Sequence, residues 1–151
     1  MEAAIEQARI AAEKGDYAIG CVIEMEGKII SRGHDSLKSR KDPTQHAEII
    51  AIQDACRKLG RPYLEGCIAY VTVEPCPMCA GASIWAKLGG IVFGATLKDL
   101  REHSRKKGSK KFTWRTINLT CEDVIETGTP KMHIKKGFMR KECIDLFGLS
   151  K

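Results

Sequence analysis

Two cysteines three positions apart, Cys76 and Cys79, constrain this chain more than any other feature. They sit in the stretch Pro75-Cys76-Pro77-Met78-Cys79-Ala80-Gly81-Ala82. Thiolates at that spacing reach one metal ion together when the second of them opens a helix. Alone, such a pair is also compatible with a redox dithiol or with half of a structural zinc site. A structural site needs a fourth protein ligand, and His34, Cys67, His103 and His133 lack the paired spacing that would supply it. The residues ahead of Cys76 do not resemble a thioredoxin motif. Upstream, the triplet His46-Ala47-Glu48 adds an imidazole and a carboxylate.

His46, Cys76 and Cys79 amount to three protein ligands. A catalytic zinc typically has that number and keeps a fourth position open for water. Bound Zn²⁺ lowers the pKa of its water to about 7, which supplies a nucleophile that bulk water cannot. Two thiolates cancel the formal charge of the ion and soften it as a Lewis acid. A separate proton carrier is then more necessary, and Glu48 stands two positions from His46.

His-x-Glu, a gap, then Pro-Cys-x-x-Cys is the signature of zinc-dependent nucleobase deaminases. From about Ile5 to Leu97, with a weaker echo to Phe147, the chain resembles the cytidine/deoxycytidylate deaminase-like superfamily. Within it the likeness is to the tRNA adenosine, guanine and cytosine deaminase branch. The resemblance implies Zn²⁺ as cofactor, a homodimer, and an α/β fold of three α/β/α layers around a mixed sheet of about five strands. It gives Glu48 the general acid/base role and suggests that the backbone N–H of Ala47 or Cys76 helps to fix the base.

The 151 residues, 43% of them hydrophobic, suit one domain spanning residues 1–151. No apolar run approaches a membrane span, and Met1-Glu2-Ala3-Ala4 resembles no secretory signal. With Cys76 and Cys79 on a metal, Cys21, Cys56, Cys67, Cys121 and Cys143 read as small buried hydrophobes. A reducing, cytoplasmic location is therefore expected. The net charge of +6 permits an anionic partner without requiring one.

Apolar spacing predicts a helix from Met1 to Lys14, then a hairpin of Ile19–Ile23 and Lys28–Ser31 turning at Glu26-Gly27. Gly33 to Asp42 reads as a polar loop. Asp42-Pro43-Thr44 announces a helix with Ile49, Ile52, Cys56 and Leu59 along its inner face, which puts His46 and Glu48 in its first turns. Cys67–Val73 is a buried strand, followed by a helix opening at the cysteines and running to about Lys87, then a strand over Gly90–Gly94. Lys98 to Lys111 reads as a loop or frayed helix, and Phe112 to Arg115 as a short strand. Thr120 caps a helix with Asp123 three residues on, Met132-His133-Ile134 is an edge strand, and Met139 to Phe147 is a final helix.

Four further positions are substrate-binding candidates: Asp35, Ala47, Glu74 and Trp114. Many members of the resembled branch carry an asparagine where Asp35 stands. An ionised carboxylate only accepts hydrogen bonds, so Asp35 favours a ring N–H or an amino edge over a bare carbonyl. The alternative places Asp35 in a surface turn. The basic run Arg101, Arg105, Lys106, Lys107, Lys110 and Lys111, with Phe112 and Trp114, suits RNA or merely a solvated face. The long segment from Lys98 to Pro130 and the end from Arg140 to Lys151 depart from bacterial tRNA deaminases. The expectation is thus hydrolytic deamination of a free nucleobase or nucleoside, guanine-like or cytosine-like, with no membrane partner. Adenosine-to-inosine deamination in tRNA comes second, and a non-enzymatic, zinc-stabilised RNA-binding module third.

Overall fold

Strand β1 (Gly20–Met25) pairs antiparallel with β2 (Lys28–His34) and with β3 (Cys67–Val73). Strand β4 (Gly90–Ala95) runs parallel to β3, and β5 (His133–Lys136) parallel to β4. The mixed sheet therefore has the order β2-β1-β3-β4-β5. The computed structural model describes residues 1–107 and 116–150. The expected strand from Phe112 to Arg115 lies outside the described residues. Glu26 and Gly27 turn the first hairpin with φ of 52° and 78°. Those paired left-handed positions match the right-handed twist of the strands.

Helices cover both faces. Gly33 pairs with Cys21, and Gly20 with His34, so Gly20 and Gly33 point to opposite sides of the sheet. A β-carbon on Gly20 would stand 2.0 Å from the Ala4 carbonyl oxygen, on helix α1 (Glu2–Glu13). On the other side, Gly33 lies against helix α3 (Ala47–Leu59). One apolar cluster packs α1 with Val73, Ala95, Cys143, Leu146 and Phe147. The larger one packs Cys21, Val71, Ile91 and Phe93 under α3, helix α4 (Pro77–Trp85) and helix α6 (Cys121–Glu126). The three-layer α/β/α expectation is borne out.

Several boundaries move. Helix α3 begins at Ala47, with His46 as its N-cap at φ −76°, ψ 153°, not inside the first turn. Asp42 instead accepts from the Thr44 amide and hydroxyl, closing a turn of its own. The inner face of α3 is Ala47, Ala51 and Ala55, all fully buried, while Ile49, Ile52, Cys56 and Leu59 are only half-buried. Alanines win there because the helix approaches β2 too closely for larger side chains. The expected loop after Gly33 holds a short helix α2 (Leu37–Arg40). Its Lys38 and Ser39 amides donate to Asp16 Oδ1 at 2.7 and 3.0 Å. Helix α4 stops at Trp85, two residues short.

The expected loop or frayed helix from Lys98 is helix α5 (Leu97–Lys107). It starts on a Thr96–Asp99 box, with the Thr96 amide donating to Asp99 Oδ2 at 2.9 Å and the Asp99 amide to Thr96 Oγ1 at 3.2 Å. The Thr120–Asp123 capping box forms as expected. The terminal helix splits into α7 (Arg140–Asp145) and a 3₁₀ turn over Leu146–Leu149. Among the described residues no helix is long and apolar enough to cross a membrane.

Candidate active site

Both cysteines and the histidine stand at helix starts. His46 is the N-cap of α3, Cys76 the N-cap of α4, and Cys79 lies in the first turn of α4. Pro77 opens α4, where its missing N–H costs nothing. The three ligand atoms lie within 4.8 Å of one another, the only such group among the described residues. His46 Nδ1 is 3.6 Å from Cys76 Sγ and 3.6 Å from Cys79 Sγ.

The spacing fits zinc. Bonds of about 2.1 Å to nitrogen and about 2.3 Å to sulfur at a tetrahedral angle put N and S about 3.6 Å apart. No fourth side chain completes the set among the described residues. His34, one conceivable fourth ligand, is instead hydrogen-bonded through Nε2 to Lys14 Nζ at 3.0 Å.

Charge in this cluster is shared through protons. A hydrogen bond from the Cys79 thiol, reinforced by His46, pulls Cys76 far below the usual thiol range. Cys79 is correspondingly raised, first by that same bond and then by burial. The bond to Cys76 raises His46 to about 9, against the effect of burial. A divalent cation held by these three groups would displace the protons they share.

Glu48 is 5% exposed, in the first turn of α3. Burial, then the negative Cys76, raises its carboxyl to about 7, while His46 opposes the shift. A cavity of about 390 Å³ opens over these groups and is lined by His46, Cys76, Glu48 and Asp35. That volume lies in the range of small-molecule sites. Tyr17, Ile19, Leu97 and Leu100 add apolar wall, with Ile117 and Leu119 at the rim, 62% and 43% exposed.

The other expected site residues separate. Asp35 is 1% exposed and lines the cavity, so the surface-turn alternative fails. Its Oδ1 accepts from the Leu37 amide at 3.3 Å, and burial raises the carboxyl to about 6. Its own amide donates to the Ile19 carbonyl at 3.0 Å, a tertiary arrangement that no local pattern announces. Glu74 also lines the cavity, but both its oxygens accept backbone amides, from Leu97 at 2.8 Å and Cys121 at 3.0 Å. Ala47 is fully buried behind the cavity, toward β2. Trp114, Phe112, Lys110 and Lys111 lie outside the described residues. Tyr17, Ile117 and Leu119 went unread in the sequence because they reach the cavity from irregular segments without periodicity.

Residues 1–95 match the model of the cytidine and deoxycytidylate deaminase zinc-binding region. The chain is 35% identical to the tRNA-specific adenosine deaminase of Bacillus subtilis over 93% of each protein. It is 46% identical to the tRNA-specific adenosine deaminase of Aquifex aeolicus over 63% of each, just under two thirds of that relative. Identity to the guanine deaminase of Bacillus subtilis is 43%, over 55% of this chain and 53% of that one. A structure solved in work on A-to-I editing by tRNA:A34 deaminases superposes with a TM-score of 0.72 at 28% identity, covering 97% of this chain and 96% of that one. The family match spans Glu48 and the metal set His46, Cys76 and Cys79. The chain belongs to the cytidine and deoxycytidylate deaminase zinc-binding family.

Proposed function

We propose that this protein is a zinc-dependent hydrolytic deaminase that converts an adenosine of transfer RNA to inosine and releases ammonia. The observation that carries the reaction is the meeting of a three-ligand metal set with the buried carboxyl of Glu48 in one cavity. The near full-length similarity to a tRNA-specific adenosine deaminase supports the substrate, and moves it ahead of the free base expected from sequence. The length of the segment after Lys98 no longer argues against it, because that similarity covers 93% of both proteins.

Zinc held by His46, Cys76 and Cys79 supplies the Lewis acidity that brings water to nucleophilic form near neutral pH. Glu48 moves the protons. A carboxyl raised to about 7 both takes and returns a proton near neutrality. Glu48 takes one from the attacking water as the C–O bond forms at the amino-bearing carbon, and delivers one to the ring nitrogen. It then takes the remaining proton of the added hydroxyl and passes it to the departing amine; the C–N bond breaks, the carbonyl forms, and ammonia leaves. Asp35 holds the base from the cavity wall, with the backbone at Cys76, which also lines the cavity, as a second contact. Basic residues of the two helices that each lend leucine to the cavity serve the phosphates: Lys38, Arg40 and Lys41 at α2, and Lys98, Arg101 and Arg105 on α5. A homodimer belongs to this reading. The apolar stretch of α4 from Ala80 to Trp85 is its candidate surface, with Trp85 83% exposed and Ala80 buried.

The test is ammonia and inosine formation with unmodified tRNA against free guanine, cytosine and adenosine. Turnover on tRNA alone, falling steeply with salt, is the expected result. One observation favours a second reading, deamination of free guanine or a related amino-heterocycle: the acceptor-only side chain of Asp35 suits a substrate edge rich in N–H. Ammonia from free guanine and none from tRNA would establish that reading instead. Glu48→Ala that keeps zinc and loses turnover excludes a mere binding module.

A further inference from the structure

Glu74 follows the last residue of β3 and directly precedes Pro75-Cys76. Its amide donates to the Ala95 carbonyl at 2.8 Å, fixing its backbone to the end of β4. Its side chain then spans two gaps. Oε2 accepts from the Leu97 amide at 2.8 Å, and Oε1 from the Cys121 amide at 3.0 Å. Leu97 is the first residue of α5 and Cys121 the first of α6.

Neighbouring caps do not duplicate these bonds. The Thr96–Asp99 box satisfies the amides of Thr96 and Asp99, and the Thr120–Asp123 box those of Thr120 and Asp123. The amides of Leu97 and Cys121 go to Glu74. An ionised carboxylate at helix N-termini makes charge-assisted bonds and meets the positive ends of the peptide dipoles. Burial and the negative Glu74 together raise the adjacent Cys121 thiol to about 12.

The two clamped helix starts carry the apolar wall of the cavity. Leu97 and Leu100 belong to α5, and Ile117 and Leu119 to the segment that leads into α6. His46, Glu48 and Asp35 line the same cavity. We propose that Glu74 is a positioning residue: by tying the starts of α5 and α6 to the turn that bears Cys76, it sets the width of the cavity and so the grip on the base. It is not a metal ligand and need not touch the reacting atoms. A residue that acts in this way changes ground-state and transition-state binding alike, which appears in KM and spares kcat.

Glu74→Gln and Glu74→Ala test this with three measurements on the zinc-loaded protein. Metal content should stay at that of the wild type. Amide hydrogen exchange at Leu97 and Cys121 should accelerate about tenfold or more in Glu74→Ala, the loss expected for a hydrogen bond worth about 1.4 kcal/mol. KM should rise about tenfold with kcat within about threefold. Unchanged exchange at both amides overturns the clamp, and an unchanged KM, or a kcat that falls while KM holds, overturns the positioning role. The kinetic arm rests on the deaminase reading and uses whichever substrate releases ammonia with the wild type. Should tRNA give none, that substrate reading fails, and the exchange measurement still decides the clamp.

Discussion

Gly33 and Ala47 meet backbone to backbone: a β-carbon on Gly33 would stand 2.2 Å from the Ala47 carbonyl oxygen and 2.8 Å from the Ala51 amide nitrogen. This contact sets the start of α3 against the end of β2, and with it the imidazole of His46 and the carboxyl of Glu48. Gly33→Ala must push the helix away. Overpacking of this kind costs about 1–3 kcal/mol. Urea denaturation should register that loss, and a chelator competition should register weaker zinc binding. Unchanged stability and affinity would show that α3 is placed by something else.

Glu48→Gln keeps the shape of the side chain and removes its proton exchange. Turnover should fall by about 10²–10⁴, the usual contribution of a general acid–base. Zinc content should not change, because His46, Cys76 and Cys79 are untouched. A variant that retained a tenth or more of wild-type kcat would take the proton-transfer role away from Glu48.

The metal set and Glu48 were legible because His-x-Glu and Pro-Cys-x-x-Cys together form a signature that neither half carries alone. Strand β3 was legible for a different reason, since Cys67–Val73 is a continuous apolar and β-branched run. The start of α3 was misread because Asp42 and Thr44 bond each other, so a capping composition served a turn. Helix α5 was obscured by its charge. It is held by the Thr96–Asp99 box and by Arg140, 41 residues away from Asp99, which no local pattern carries. Asp35 is likewise held by a distant partner, its amide donating to the Ile19 carbonyl.

Asp35 gives a pH signature in the metal-free protein. Burial raises its carboxyl to about 6, against about 3.9 for an unfolded aspartate. The folded value lies above the unfolded one, so its contribution to stability is full below about pH 4 and is lost as pH rises through about 6. Asp35→Asn does not titrate. Under chelation, the stability of the wild type relative to this variant should therefore decline from about pH 4 to about pH 7. Denaturation curves across that range check it, and a constant difference would refute the shift.

Arg140 holds Asp99 through two hydrogen bonds, Nε to Oδ2 at 3.0 Å and Nη2 to Oδ1 at 2.6 Å. Those bonds, aided by the amide and hydroxyl of Thr96, lower Asp99 to about 2. The folded value is depressed, so the stability it confers is present above about pH 4 and is lost as pH falls through about 2. Arg140→Ala should lower Tm at neutral pH and flatten that acid limb. Thermal scans from about pH 2 to pH 7 decide it, and a variant with the wild-type acid limb would place the shift elsewhere.

The central claim is that one imidazole and two sulfurs hold a divalent cation and leave one position open beside Glu48. X-ray absorption on the zinc-loaded protein measures this directly. The account predicts two sulfurs at about 2.3 Å, one imidazole nitrogen at about 2.0 Å, and one further light atom that changes when a substrate analogue is added. A third sulfur, a second imidazole, or a fourth ligand indifferent to the analogue would contradict it.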